Sequence, residues 1–538
     1  MSSRTRHIAS AGLTISLVCA TVCGPIATLA HAQSTPPPMD TTQSPSRTAA
    51  VAIPAGQIDR AVQQLDKLVT DVLRQTHVPG LALSVVRDGR TVYAKGFGVR
   101  RVGSNDAVDA DTVFQLASLS KSVGATVVAH AVGEGIVTWN TPVVQHLPWF
   151  ALDDAWVTAH VTIADLYAHR SGLPDHAGDD LEDIGYDRRQ VLQRLRFAPL
   201  HAFRAEYAYT NFGVTAAAES VAEASGTDWA SLSETSIYQP LGMSSTSSRF
   251  ADFEHRSNRA VGHVRTGDGS FQPKYQRQPD AQSPAGGVSS SANDMARWMS
   301  MVLQNGEFEG RRIVAAKPLL EAITPQVIST HAGTADSRAG FYGYGFGVGA
   351  SPSGRVVISH SGAFALGAAT NYILIPSVGV GIVVLSNAAP IGAVEAIGME
   401  FADLVQFGSV TRDWLGAYAR LMASMSEPFG SLVGKMPPAS PTAALPLASY
   451  VGSYTNDYFG DVRVAQRGDT LVLSVGPKPV EYPLRHWDGP VFVFDVSGEN
   501  APDGSVSAVT FAGGASAPAT SLAIEFFVQN GKGTFVRN

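Results

Sequence analysis

Three short stretches hold side chains that could together break an acyl bond. In Ser118-Leu119-Ser120-Lys121 a serine and a lysine stand three apart. On a helix that spacing puts them on one face, with an amine beside the hydroxyl it would activate. A serine in the first turn of a helix also directs its backbone N–H at an incoming oxyanion. In Tyr209-Thr210-Asn211 a phenol and an amide precede a helical stretch. A free phenol titrates near ~10, so to act as a base near neutrality it needs a shift of about 3 units, much of which a nearby ammonium could supply. In His360-Ser361-Gly362-Ala363 the glycine lets a substrate backbone approach an edge strand, and the Ala363 N–H could be a second oxyanion donor. His360 could bind an anionic group or relay a proton. Taken singly, each stretch has an ordinary alternative: a solvated helix face, a packed tyrosine with a turn asparagine, an exposed loop histidine.

Such residues need a scaffold, and the surrounding pattern supplies one. Ile58, Val62, Leu65, Val69 and Val72 recur at helical spacing. Residues 81–86 and 91–97 flank Asp88-Gly89, which predicts a tight hairpin, and residues 372–375 and 380–385 form a second β-rich block. Between them, from about 125 to 310, helical periodicity recurs in stretches such as 213–224 and 292–303. β material bracketing a helical middle is an α+β pattern with a helical insertion. Pro437-Pro438, Ser440-Pro441 and Pro446 mark a linker, after which residues 462–465, 471–475, 491–496, 508–511 and 522–527 read as the short strands of a small barrel or sandwich. At the other end, Arg4, Arg6 and His7 lead an uncharged run closed by Ala30-His31-Ala32, the pattern of a signal peptide cut after Ala32. The expected organisation is a signal peptide over 1–32, a Pro-rich linker over 33–55, a catalytic domain over 56–410, a helical segment and linker over 411–446, and a β domain over 447–538.

Composition narrows the chemistry further. The chain has 538 residues, 45% hydrophobic and 16% charged, enough for a large core and against wholesale disorder. A net charge of −7 without a basic block gives nucleic acid no footprint. Both cysteines, Cys19 and Cys23, fall in the leader, so the mature chain is expected to have no disulfide, thiol nucleophile or thiolate ligand. No Gly-x-Ser-x-Gly elbow and no His-Glu-x-x-His occurs, and the even spacing of Gly343, Gly345 and Gly347 breaks a dinucleotide fingerprint. His176 with Asp175, Asp179 and Asp180 reads as a solvated loop rather than a cation site. The expectation is an enzyme without metal or organic cofactor, acting on a small-molecule or short-peptide substrate in the periplasm or outside a bacterial cell. No membrane span is expected once the leader is removed.

In this order the three motifs resemble those of the serine β-lactamase and penicillin-binding protein superfamily, above all the branch of class C β-lactamases, D-aminopeptidases and related esterases. Val78-Pro79-Gly80, Asp111-Thr112-Val113-Phe114, His169-Arg170-Ser171-Gly172-Leu173, Ala285-Gly286-Gly287, Tyr342-Gly343-Tyr344-Gly345 and Leu385-Ser386-Asn387 look like further landmarks of the family. The resemblance implies an antiparallel sheet flanked by helices, with a helical subdomain. It makes Ser118 the acylated nucleophile, Lys121 its activating partner and Tyr209 the group exchanging protons with serine and leaving group, with the base left open between Lys121 and Tyr209. It makes Asn211 the ligand of the substrate amide and Ala363 the oxyanion donor, with Ser361 and Gly362 beside it in the substrate-binding strand. Where most penicillin-recognising members place a lysine this chain has His360, which implies peptide or ester hydrolysis over β-lactam hydrolysis. A class C-like β-lactamase and a penicillin- or peptidoglycan-sensing binding protein are the rival readings. The run from Tyr450 to Gly460 resembles the lipocalin-like domain attached to such hydrolases, which either only packs against the catalytic domain or brings a loop over its site.

Overall fold

The computed structural model describes residues 51–513, 517–528 and 531–538. The predicted leader and all of the predicted 33–55 linker before residue 51 lie outside them. β1 (Gly80–Arg87) and β2 (Arg90–Gly98) form the expected hairpin; Asp88 and Gly89 take φ of 51° and 75°, the two left-handed residues that a type I′ turn requires. β3 (Val327–Thr330), β4 (Gly340–Tyr342), β5 (Gly347–Ala350), β6 (Val356–Phe364), β7 (Ala368–Ile375) and β8 (Val380–Ser386) complete an antiparallel sheet in the order β2-β1-β8-β7-β6-β5-β4-β3. The amino-terminal hairpin thus joins a sheet made mostly from the far side of the helical middle, with Leu81 opposite Ser386.

Eight helices frame the site: α1 (Gln57–Gln63), α2 (Leu65–Thr76), α3 (Leu119–Gly133), α4 (Asp179–Asp183), α5 (Asn211–Ser225), α6 (Ala292–Leu303), α7 (Ala393–Phe407) and α8 (Trp414–Met422). The single helix expected over residues 58–72 is two, because the chain leaves the helical ladder at Gln64, whose N–H closes α1 on the Ala61 and Val62 carbonyls. Both faces of the sheet are covered. Leu81, Leu83 and Val85 pack with Leu65, Val69, Ile397 and Phe401 on one side, while Ala82 and Val86 join the core of the helical region on the other. β7 and β8 are buried along their whole length; β8 reads as a nearly continuous apolar run, as a strand covered on both sides does, while β7 interrupts its run with Thr370 and Asn371. Each Leu, Val or Ile so buried contributes about 1.5–3 kcal/mol, and a charge at Val69 would cost more than that because it would be unpaired in the core.

The carboxy-terminal strands close on themselves. β9 (Gly452–Asn456), β10 (Gly460–Arg467), β11 (Thr470–Val475), β12 (Val480–Asp488), β13 (Val491–Gly498), β14 (Ala501–Ala512), β15 (Ser521–Ile524) and β16 (Thr534–Arg537) form a barrel sealed where Tyr454 meets Arg537. Sequence patterning missed β9, β12 and β16. β12 carries Pro483, which removes a ladder donor, and β9 is almost wholly polar apart from Tyr454, whose ring is buried in the barrel. The strand expected over 522–527 ends at Ile524 and turns through Glu525–Phe527.

Candidate active site

Ser118 caps α3, and the residue before it, Ala117, has φ 48°, a left-handed conformation unusual for alanine and the kind of strain that functional turns carry. Twelve of the 15 residues of α3 are buried, so this helix runs through the core with no solvent face. Lys121, one turn in, is fully buried. Its Nζ lies 3.0 Å from Ser118 Oγ, 2.6 Å from Asn211 Oδ1 and 3.0 Å from the Ala285 carbonyl oxygen. Burial brings its pKa down to about 7, against the pull of the Asp179 carboxylate, which favours the ammonium. Two of the three neighbours are carbonyl oxygens that can only accept, so they engage two N–H bonds and leave the third direction facing Ser118. In the neutral amine that direction holds the lone pair.

Tyr209 lies across the same point. Its ring centre is 4.5 Å from Lys121 Nζ and its hydroxyl interacts with Ser118. Burial raises its pKa well above 10, only partly offset by that hydrogen bond, so the neighbouring amine does not produce the lowered phenol pKa expected from the sequence. Asn211, the first residue of α5, is held at both ends: Oδ1 accepts from Lys121, and Nδ2 donates to Asp179 Oδ2 at 2.8 Å. Its second Nδ2 hydrogen remains for a substrate carbonyl. Asp179 also meets His176 Nδ1 at 2.8 Å and is 8% exposed, so part of the segment read as a solvated loop is a wall of the site. Among the described residues no three His, Cys, Asp or Glu side chains converge to hold a metal.

β6 brings the third motif. β5 pairs with β6 only as far as Ser359, so residues 360–364 have a strand neighbour, β7, on one side only. A Cβ on Gly362 would overlap the Leu116 carbonyl and Thr370 Oγ1 and come within 2.9 Å of Ser118 N; only glycine lets this strand lie against the nucleophile's backbone. Ala363 follows on the same free edge. His360 behaves otherwise than the sequence suggested. Its Nδ1 is 2.6 Å from the Ser361 carbonyl and its Nε2 is 2.7 Å from the Tyr342 hydroxyl, so Nδ1 carries the proton and Nε2 accepts. Burial, aided by the charge on Lys121, lowers its pKa to about 3. With both nitrogens occupied and no charge, it offers neither a cation nor a relay; it holds Tyr342 against the strand.

The cavity over Ser118 has a volume of about 650 Å³, and its far wall comes from outside the catalytic domain. Residues between Met422 and Gly430 and the barrel residues Glu499, Asn500 and Pro502 line it, so the segment expected as a helical stretch and linker and the β13–β14 turn both reach the site. The turn is anchored: Glu499 Oε1 accepts the Ala365 N–H at 2.7 Å, and Asn500 Nδ2 donates to Asp183 at 2.7 Å. A second barrel loop docks through Tyr458, which donates to Asp180 at 2.8 Å and accepts the Gly178 N–H at 2.8 Å. Of the two roles open to the barrel, the geometry selects the loop over the site. Sequence reasoning gave no role to Asp179, Tyr342, Glu395, Arg277 or Glu499. Tyr342 and Asp179 lie in stretches whose residues were noticed for other reasons, whereas Glu395 is the one acid in the first turn of a largely apolar helix and Arg277 and Glu499 come from unremarkable polar runs.

A model of the Beta-lactamase family matches residues 58–404, and one described as a domain of unknown function, DUF3471, matches residues 436–534. The unguisins hydrolase ungD of Aspergillus violaceofuscus is 26% identical over 433 residues, covering 73% of this chain and 75% of that protein. Penicillin-binding protein 4 of Amycolatopsis lactamdurans is 31% identical over 257 residues, 46% of this chain and 65% of that protein. The D-alanyl-D-alanine-carboxypeptidase/endopeptidase AmpH of Escherichia coli is 26% identical over 263 residues, 48% of this chain and 66% of that protein. Among solved structures, an octameric penicillin-binding protein homologue from Pyrococcus abyssi matches in fold with a TM-score of 0.57 at 19% identity, over 88% of this chain and 100% of that one.

Proposed function

The chain belongs to the Beta-lactamase family and is a serine hydrolase of the β-lactamase and penicillin-binding protein type, and from that premise we propose that it is exported and cleaves amide or ester bonds of small peptides or esters, D-residues included, through an acyl-enzyme on Ser118. The observation that carries the acyl-enzyme is the buried Lys121 amine, with a pKa of about 7 and 3.0 Å from Ser118 Oγ. Neutral Lys121 takes the hydroxyl proton as Ser118 Oγ bonds to the substrate carbonyl carbon. The tetrahedral oxyanion is held by the N–H groups of Ser118 and Ala363. Tyr209, a phenol throughout, passes a proton to the departing amine or alcohol and is resupplied from Lys121. Water then attacks the acyl carbon and restores Ser118.

The neutral His360 supports peptides and esters over β-lactams, because the carboxylate of a penicillin would find no charge there. The AmpH relative, by its name a peptidase, points the same way. Export rests on the pattern of residues 1–32 and is checked by the amino-terminal sequence of protein recovered from periplasm and medium. The reaction is tested by intact-protein mass spectrometry after treatment with a fluorophosphonate or a penicillin. The expected result is a phosphonyl adduct that Ser118→Ala abolishes, with slow or no penicillin turnover. No adduct on the unmodified chain would refute the acyl-enzyme; penicillin hydrolysis at the rate of a dedicated β-lactamase would reverse the substrate ranking.

A further inference from the structure

The space over Ser118 continues beyond the oxyanion strand. A second cavity of about 600 Å³ begins where the first stops, and the two share Ala365, Met425, Pro428 and Pro502 in their linings. Three parts of the chain enclose it. The first is the β6–β7 turn, where Glu499 holds the N–H groups of Ala365 and Leu366 at 2.7 and 3.3 Å. The second is the stretch around Met425, fixed to the barrel by Phe429, which donates to Ser505 Oγ at 2.8 Å and accepts the Val506 N–H at 2.9 Å. The third is the two-stranded ribbon of Val264–Arg265 and Phe271–Gln272, tied to Ala389 by the bond from its N–H to the His263 carbonyl at 2.8 Å. Val264, Leu366, Ala389, Pro390 and Met425 make the lining largely apolar. Of its two charged residues Arg265 is exposed, and Asp503 is already bonded to Lys274 at 2.7 Å and to Tyr275 at 2.5 Å. Met425, where the cavities meet, is 38% exposed, and an apolar chain laid against it would take it out of water.

Tyr209 fixes which half of a substrate points this way. Its ring centre is 6.4 Å from that of His360, at the start of the free edge of β6. The group that Tyr209 protonates therefore departs at that end. The acyl group, with its oxygen at Ser118 and Ala363, extends toward the other end, where Ala365 stands two residues farther, about 7 Å at the rise of a strand. A peptidyl group covers that distance in about two residues, and a straight acyl chain in about six bonds. We propose, on the acyl-enzyme reading, that the second cavity is an acyl subsite for an extended apolar group, peptidyl or fatty, which runs from Ser118 past Met425. The hydrolase then selects substrates by what lies about six bonds from the carbonyl it attacks.

Two substrate series test the subsite and tell its two sources apart. In p-nitrophenyl acetate, butyrate, hexanoate and octanoate, kept below micelle formation, the first two chains stop short of Ala365. Their kcat/KM values are expected to agree within about twofold, and those of hexanoate and octanoate to differ by about tenfold, at about three- to fourfold per buried methylene. In the p-nitroanilides of N-acetyl-glycyl-D-alanine and N-acetyl-D-leucyl-D-alanine, the leucine is expected to gain about tenfold over the glycine. Met425→Asp sets a carboxylate between the cavities and is expected to bring both ratios within about threefold of unity, whereas Met425→Leu should keep them. A gain in one series alone identifies the source as fatty or peptidyl. A gain in neither overturns the subsite, and so does an ester rise that is even from acetate onward without a leucine gain, or any gain that survives Met425→Asp. Fluorophosphonate labelling run in parallel separates the failures. Ser118 labelled with no gain in either series refutes the subsite alone, whereas no labelling and no hydrolysis refutes the acyl-enzyme beneath it.

Discussion

Asp179→Asn tests whether charge relayed through Asn211 sets the working pH of Lys121. Asp179 touches neither Ser118 nor the reacting carbonyl; it acts as a positioning residue through the Asn211 amide, bonded at 2.6 Å to Lys121 and 2.8 Å to Asp179. That path puts the carboxylate about 7 Å from the amine, where a unit charge at an effective dielectric constant of about 20 is worth about 2 kcal/mol, or about 1.7 pKa units. The carboxylate stabilises the ammonium, so its loss lowers the pKa of Lys121 from about 7. An asparagine in its place can still accept from Asn211 through its carbonyl oxygen, so the geometry survives. The second-order rate of fluorophosphonate labelling, followed from pH 4.5 to 9, is the assay, since it reports Ser118 activation without reference to substrate. Lys121 must be neutral to take the proton, so the unmodified chain is expected to lose rate as pH falls through about 7, and Asp179→Asn only between about pH 5 and 6. The plateau at high pH should drop severalfold, because a less basic amine is a poorer proton acceptor. An acid limb that stays in place, or moves upward, while Ser118 still labels would refute the reasoning.

Three further outcomes follow from the same geometry. Lys121→Met fills the volume without a lone pair and is expected to slow labelling by about 10²–10⁴-fold with the circular dichroism spectrum unchanged. Gly362→Ala pushes β6 off the Ser118 backbone; a fall of about 10²-fold in labelling, with a loss of about 1–3 kcal/mol by calorimetry, is expected. Burial raises Asp180 and Asp183 at the barrel junction to about 7, so the native state holds protons that the unfolded chain releases above about 4, and stability falls as pH rises through this window. A fully shielded carboxyl raised by about 3 units contributes about 4 kcal/mol, discounted to about half for side chains that keep some solvent contact. Most of this loss falls between about pH 4 and 7, so calorimetric Tm should still decline from pH 6.5 to 7.5, by an amount worth less than about 1 kcal/mol per carboxyl, and decline less in Asp183→Asn. The window stops at 6.5 because His360 and His169, whose pKa values are lowered, oppose the trend below it; Lys121, lowered to about 7, opposes it above, which is why the comparison with Asp183→Asn decides.

What could be read from the sequence was what is local. Ser118 and Lys121 are a helical turn apart, so their pairing needs only that the helix form, and Asp88-Gly89 carries its own turn geometry. Gly213 to Ala224 lies within α5 and Ala292 to Leu303 is α6, because their periodicity is uninterrupted. The direction of the two shifts at the base was not legible, because desolvation depends on what packs around a group and not on its neighbours in the chain. Nor was the outer wall. Glu395 arrives by the packing of α7 on the sheet and Glu499 on a barrel turn, and neither has a spacing that singles it out. Residues 411–446 were read as a helical segment and linker, but the part from Met422 to Gly430, before the proline-rich stretch, folds back over the cavity.

The pairing of β1 with β8 has a consequence for how this enzyme comes into being. Leu81 finds its partner Ser386 about 300 residues later in the chain, and every reacting side chain lies between them. Local helices can form early, but the sheet that fixes Gly362 against Ser118 waits on the most distant strand, so assembly is governed by slow, long-range closure. Until then the β1–β2 hairpin presents an open apolar edge to every other unfinished copy. Yield on refolding should thus be a matter of concentration and chaperones, and a fragment ending before β8 should be lost to aggregation instead of surviving as a smaller enzyme.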